Sequence, residues 1–468
     1  MPTADGLSYF TPTNVFGKDT WLPGAYSQLE NTPGLFFNLV DQQEPERAEG
    51  RNTFFKLDIA DSLGQGMVTA HGGDLPEPLD ADWTEGKLTL ARLAHTAEVT
   101  MDEWEMMNTQ PSAAVPVVQM KQEKAVRKMT RELARQTHMD GTGQLALIAT
   151  VVTGASPQTL TITQTGVANR NRWKWLAPNR TVVDLADPTT GAVAAAGKRL
   201  LVRRVNKAAG TFTAQKVGGG TITSAVGQVV TWSGSVDLFS SGTYASGEFP
   251  GLGALMKYGS AFLGIDPSLD PNWDWNPIYV QGTTPGTPQN LSLNRIQTIY
   301  VPMADAAEDG MQPSATSGHS IFSSYGVAAT AVAVLSPNIR YANPAEAGHQ
   351  RADFGFTEIE GLGLRWMSDV HYCANVFDVL HLPSIKFVRP ISPRQGILDF
   401  VTNGSGEIWH LANARGAPYN QAVPSPNVQG HATKYRSYLT GLFGMMTTKR
   451  NAHGRLDDVL ELAKPTDP

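Results

Sequence analysis

Three carboxylates and two tryptophans crowd the stretch Asp266-Pro-Ser-Leu-Asp270-Pro-Asn-Trp273-Asp274-Trp275. A glycosidase needs two carboxylates across a cleft, and aromatic side chains often line sugar sites. A hydrolase using Asp266, Asp270 or Asp274 is therefore one reading; tryptophans packed in a proline-flanked surface loop are the plainer one. The spacing does not match a calcium loop. His371-Tyr-Cys373 with nearby His381 offers metal-binding residue types, yet one cysteine makes a thin ligand set. Gly251-Leu-Gly253 lacks the third glycine of a dinucleotide fingerprint and reads as turn chemistry, and Val217-Gly-Gly-Gly220 lacks the following Lys-Ser/Thr of a phosphate loop. Asn403-Gly-Ser405-Gly is not the G-x-S-x-G of a nucleophile elbow. The sequons at Asn179 and Asn290 matter only in a secreted protein. No catalytic, cofactor or metal residue is assigned.

One pattern remains, and it is electrostatic. Lys121, Lys124, Arg127, Lys128, Arg131 and Arg135 recur along a helical stretch that holds only Glu123 and Glu132 as counter-charges. Such a flank is an ordinary solvated face or a surface for a polyanion such as packaged nucleic acid, held by sequence-independent phosphate attraction.

The elements that must carry these residues follow from composition and pattern. The chain has 468 residues, a net charge of −6, 17% charged residues, 45 Gly and 30 Pro. Charge is low against the usual ~25% and turn-formers are abundant, which excludes a disordered chain, a collagen and a coiled-coil rod. The acidic balance argues against a dedicated DNA-coating protein. The single Cys373 excludes an intramolecular disulfide. The N-terminus shows no secretory signal, and the longest apolar run, Tyr325 to Leu335, is too short to span a bilayer, so a soluble cytoplasmic protein is expected.

Residues 1–55 carry recurrent prolines and scattered aromatics and read as an extended arm. TFFKLDIA and KLTLARLAHTAEVT read as two strands around a long acidic, Gly- and Pro-rich tip. Thr100 and Glu103 form a capping box for a short helix, DEWEMMN. A second helix of ~36 Å follows from Pro116 to Met139, with Val118, Val126, Met129 and Leu133 as its apolar stripe. From Ser156 to Phe249 short β-type runs separated by turn residues suggest a compact β-domain, a sandwich or barrel. LSLNRIQTIYVPMADAAEDG reads as helix, kinked or divided at Pro302. FSSYGVAATAVAVLSP leaves helix and strand open, whereas FGFTEIEGLGLRWMSD and ANVFDVLHLPSIKFVRP look like paired strands. EIWHL and YRSYLTGLFGMM look like later strands.

This order of elements resembles the major capsid protein of tailed bacteriophages, with the Hong Kong 97-type shell fold. The passage from LARLAHTAEVTMDEWEMM to VVQMKQEKAVRKMTRELARQTHMDGTGQLAL resembles the return strand of that family's extended loop and the entry to its spine helix. The resemblance implies an α+β chain with an N-terminal arm (1–55), an extended two-stranded loop (56–99), and a short helix and spine helix of the peripheral domain (100–155). An inserted all-β domain (156–247) follows, then an axial domain with strands that complete the peripheral domain (248–468).

As implied function, many copies associate as hexamers and pentamers into an icosahedral shell around double-stranded DNA, located in the virion capsid and assembled in the bacterial host cytoplasm. The implied partners are a separate scaffold protein, since the loop begins near residue 56, a portal and a possible decoration protein; no membrane and no cofactor are implied. Trp83, Asp80 and Asp82 near the loop tip, and Lys121, Arg127 and Arg131 on the spine helix, are the candidate inter-subunit contacts. Lys87, near the loop base, is the only lysine between Asp58 and Lys121, so no covalent cross-link is expected. A tail or portal protein and a β-rich hydrolase are the alternatives.

Overall fold

The computed structural model describes residues 35–41, 46–48, 52–60, 82–100, 117–163, 175–176, 178–179, 181–206, 209–233, 247–269, 275–282, 287–305, 313–314, 316–335, 359–361, 364–369, 371–390, 399–400, 409–412 and 434–461. The first elements are helix α1 (Leu35–Asp41) and strands β1 (Glu46–Ala48), β2 (Asn52–Ala60), β3 (Asp82–Thr89) and β4 (Ala91–Thr100), followed by the long helix α2 (Val117–His138). Eight strands come next: β5 (Gln144–Leu147), β6 (Val152–Ala155), β7 (Gln158–Thr161), β8 (Val182–Ala186), β9 (Leu200–Asn206), β10 (Thr211–Lys216), β11 (Thr221–Ser224) and β12 (Val229–Trp232). The remainder is α3 (Leu252–Leu255), β13 (Ile278–Val280), α4 (Leu293–Asp305), β14 (His319–Ser323), α5 (Tyr325–Leu335), β15 (Ile359–Gly361), β16 (Leu364–Ser368), β17 (Phe377–His381), β18 (Ile385–Pro390), β19 (Asp399–Phe400), β20 (Trp409–Ala412), β21 (Lys434–Thr447) and β22 (Gly454–Leu456).

The described residues fall into two units, divided after Leu133 within α2 and after Leu442 within β21. In the smaller unit β21 pairs antiparallel with β19 and β20. There α2 buries Ala125, Met129 and Leu133 and exposes Lys124, Val126, Arg127 and Lys128. Val126 is thus not part of the apolar stripe; Ala125, one position earlier, takes the buried place.

The larger unit contains a six-stranded sheet in the order β13-β22-β17-β14-β16-β15. Its core joins Ile296, Ile299 and Met303 of α4 and Val327 and Ala331 of α5 to Ile321, Trp366, Phe377 and Leu456 of the sheet. Ser292 starts α4, its hydroxyl accepting the Arg295 N–H, and Ser324 starts α5 by accepting the Val327 N–H, as favoured N-cap residues do. Pro302 sits on the exposed side of α4 without dividing it. The open stretch at 322–337 resolves as strand then helix, since β14 ends where Ser324 caps α5. β16 and β17 do not pair with each other; each flanks β14.

The β-region closes on itself. Its sheet runs β5-β12-β8-β9-β10-β7. An antiparallel bridge Ile148↔Ile162 then joins the first strand to the last, flanked by bonds from Ala149 N–H to Thr161 O (2.9 Å) and Thr163 N–H to Leu147 O (2.8 Å). The result is a six-stranded barrel, filled by Leu145, Ile148, Leu160, Leu185, Val202, Phe212 and Val230. Closure removes the free edges that invite further strand pairing. The pairing begins at Gln144, so Gln144–Ala155, placed with the spine helix from sequence, belongs to the β-region. The reason is that β5 pairs with β12, and β6 with β11.

Part of the expected extended arm is helical. α1 buries Phe36, Phe37 and Val40, and the Asp369 carboxylate accepts the Phe36 N–H at 2.8 Å, so tertiary contact supplies what seven residues cannot supply alone. The helix expected at DEWEMMN lies outside the described residues.

Candidate functional site

β2 and β3 form a two-stranded antiparallel ribbon with no third strand among the described residues. Its register pairs Asn52 with Thr89, Phe54 with Lys87, Phe55 with Gly86 and Asp58 with Trp83. The Lys87 ammonium lies over the Phe54 ring, 5.8 Å from its centre, while Phe54 itself is 59% exposed. The base is fixed: the Lys87 N–H donates to the Leu263 carbonyl at 2.7 Å, and Leu88 is buried against Gly444. Of the candidate contacts here, Trp83 and Asp82 lie on β3 opposite Asp58 and Ala60. Asp74, Glu77 and Asp80 of the acidic tip lie outside the described residues.

Lys121, Arg127 and Arg131 stand on α2, where Arg127 and Glu123 form an i,i+4 ion pair at 3.8 Å, both about half exposed. Such a pair adds a few tenths of a kcal/mol and leaves the face dominated by its cations. The field reaches β4: burial, then the charge of Lys128, pushes His95 down to about 4. Arg135 does not belong to this face. It is buried and ion-paired with Glu248, because the last turn of α2 packs inside the larger unit.

Those residues of the motifs considered for catalysis that are described make structural contacts. One Asp266 oxygen accepts both the Ser268 N–H (2.9 Å) and its hydroxyl (2.8 Å), which holds the carboxyl below its ordinary range, the opposite of what a general acid needs. Asp270, Trp273 and Asp274 lie outside the described residues, whereas Trp275 is buried and donates to the Phe262 carbonyl at 3.2 Å. His371 stacks on Trp175, Cys373 Sγ faces the His138 carbonyl at 3.7 Å, and His381 packs on His319. The three therefore do not converge, and no group of three suitable ligands for a metal occurs among the described residues.

Gly251 and Gly253 do not serve a turn. Both donate their N–H to the Met139 carbonyl at 3.1 Å, and a Cβ at Gly251 would lie 2.3 Å from the Gln136 carbonyl oxygen. They let α3 approach the end of α2 and satisfy a carbonyl there.

Arg450 is the largest fully buried side chain among the described residues and had no sequence signal. Its guanidinium donates to five carbonyls, those of Ala254, Leu255, Lys257, Ser260 and Trp275, and lies over the Phe262 ring. Burial pushes it down to about 10.

No family model matches the chain, and no curated protein sequence matches it. Solved structures do. The cyanophage A-1(L) capsid asymmetric unit matches with a TM-score of 0.50 at 10% identity, over 96% of this chain and 98% of that one. The fold is that of a phage capsid protein. It is the Hong Kong 97 type that the order of elements resembles. Further matches are the capsid of a native GTA particle (TM-score 0.44, 10% identity, 97% of this chain and 100% of that one) and the holo-SrpI encapsulin complex from Synechococcus elongatus (0.41, 8%, 97% and 96%).

Proposed function

We propose that this chain is the major capsid protein of a tailed phage, a non-enzymatic subunit that assembles into an icosahedral shell around double-stranded DNA. The observation that carries this reading is the capsid fold together with a ribbon that has no third strand among the described residues. An isolated two-stranded ribbon is marginal in water, and a neighbouring subunit supplies what it lacks. The cationic face of α2 suits non-specific contact with DNA phosphates. Copies of this chain, as hexamers and pentamers, are the main partners, with a separate scaffold, a portal and a possible decoration protein as the others. The barrel of β5 to β12 is the inserted β-domain of this reading, with its entering and leaving strands, β5 and β12, side by side, as suits a domain inserted at a loop.

Co-expression with the scaffold protein, followed by negative-stain microscopy, tests the function. Closed shells are expected with scaffold, and aberrant shells, sheets or capsomers without it. A compact monomer at high concentration under both conditions would overturn it.

A further inference from the structure

Two connections pass between the sheet of β14, β17 and β22 and the strands β18 and β21. One runs from β17 through Leu382–Ser384 into β18; the other runs from β21 through residues 448–453 into β22. His453 stands at both. Its Nδ1 accepts the His381 N–H at 3.2 Å, so the ring proton resides on Nε2, which donates to Thr447 Oγ1 at 3.0 Å. Thr447 in turn meets Ser384 Oγ at 3.3 Å, and Ser384 donates to the His381 carbonyl at 2.9 Å. His381 ends β17, Ser384 precedes β18, Thr447 ends β21 and His453 precedes β22.

Two more imidazoles join this joint. His319 and His381 are register partners on β14 and β17, with ring centres 4.8 Å apart. The His319 Nδ1 is hydrogen-bonded with Ser317 Oγ at 2.7 Å, and its ring also bonds the Ala452 backbone. The His381 ring bonds the Ser317 backbone, and its Nδ1 has no hydrogen-bond partner among the described residues. All three side chains are buried.

We propose that His319, His381 and His453 form an acid-opened latch on the two connections between these sheets. A proton on His453 Nδ1 would face the His381 N–H donor to donor and cut the bond that ties the two connections. Protons on both His319 and His381 would place like charges in ring contact. The charged groups acting on the cluster are Lys449 on His381 and Arg450 on His453, together with the other imidazoles, so each raises the cost of a further proton. Burial, the largest cause, holds His319 at about 4, lowers His381 and lowers His453 well below its ordinary value.

The unfolded chain takes up these protons below ~6.5, whereas the folded chain resists them. Stability therefore falls as pH falls from ~6.5 toward the folded values, and for His319 the loss is complete near about 4. Each proton taken up only by the unfolded or opened chain multiplies the opening constant by ~10 per pH unit within that window. The inference rests on this joint alone and stands whether or not the chain builds a shell.

Urea unfolding of the full chain from pH 7.5 to 5.0 tests it, comparing wild type with His453→Asn, which keeps an acceptor for the His381 N–H, and with His319→Gln and His381→Gln. The wild-type unfolding constant is expected to rise about tenfold more per pH unit below 6.5 than that of each variant. Equal pH dependence in wild type and variants would overturn the proposal. Hydrogen exchange on the wild type, corrected for intrinsic rates, decides the matter if the variants do not fold. Peptides 381–390 and 447–456 should lose protection between pH 6.5 and 4.5 while barrel peptide 200–216 keeps it. Unchanged protection at the joint would refute the latch.

Discussion

Phe55 and Gly86 face each other across the β2–β3 ribbon, and the Phe55 ring occupies the space a side chain at 86 would need. A Cβ at Gly86 would fall 2.3 Å from the ring's Cζ. The glycine leaves room for the aromatic ring over the ladder, in a ribbon with no third strand among the described residues.

Gly86→Val should therefore force Phe55 out of its place. Overpacking of this kind costs ~1–3 kcal/mol, and here it falls on an element already marginal. The expected result is faster hydrogen exchange across 52–60 and 82–89 and a lower yield of closed shells, with the barrel unaffected. Phe55→Ala should produce the same exchange pattern by removing the ring. Wild-type exchange in both variants would mean that the contact contributes nothing.

Arg450 offers a second test. Its guanidinium satisfies carbonyls at the end of α3 and in the 257–260 turn, with Trp275 added from farther along the chain. Arg450→Met would leave several of these carbonyls buried without a donor, at ~1–3 kcal/mol each where water does not reach them. A loss of at least ~3 kcal/mol is expected in denaturant unfolding. Arg450→Lys should recover only part of it, since an ammonium has three donors and no planar fork. A loss below ~1 kcal/mol for Arg450→Met would show that the carbonyls find other partners.

These two sites illustrate what the sequence carries and what it hides. The long helix α2 was legible because Met129 and Leu133 recur at helical spacing, and the ribbon because two β-type runs flank a turn-rich tip. The strands of the β-region were legible from their alternation, but its start was misplaced. β5 and β6 are four residues each and follow the helix almost at once, so local pattern cannot separate them from it; only their pairing with β12 and β11 does. Arg135 and Arg450 were unreadable for a different reason. A lone arginine among polar neighbours resembles a surface residue, and its burial depends on partners up to 196 positions away. The histidine joint is likewise drawn from distant segments, His319, His381 and His453, none of which forms a motif with the others.

Gly251 gives a third prediction. Its added Cβ would meet three backbone carbonyls, those of Gln136, Thr137 and Met139, at 2.3, 2.6 and 2.8 Å. Backbone cannot swing aside as a side-chain tip can, so Gly251→Ala must push α3 off the end of α2. The bonds from Gly251 and Gly253 to Met139 would break together. A destabilisation above ~3 kcal/mol is expected, large for a single methyl group. Gly259→Ala is the control: its φ is +67° but nothing lies within 4 Å, so only the ~1–2 kcal/mol cost of the left-handed backbone applies. Equal losses in the two variants would refute the close-approach account.

The cationic face of α2 yields the last prediction. Lys124, Arg127 and Lys128 are exposed there, and Arg127 forms a long, half-exposed pair with Glu123. If the face meets DNA phosphates, each neutralised contact releases counterions, and log K falls with log salt at a slope of about −0.9 per contact on a duplex. Replacing all three by Gln should then lower the magnitude of that slope by about 2–3 in a filter-binding or anisotropy titration with random-sequence duplex. Affinity at 50 mM salt should fall for every sequence alike, because phosphate contacts carry no base information. Stability should shift by no more than ~0.5 kcal/mol per site, as expected for surface substitutions. An unchanged salt slope in a folded variant would assign this face to solvent or to a protein neighbour, and the DNA contact would have to be sought elsewhere on the subunit.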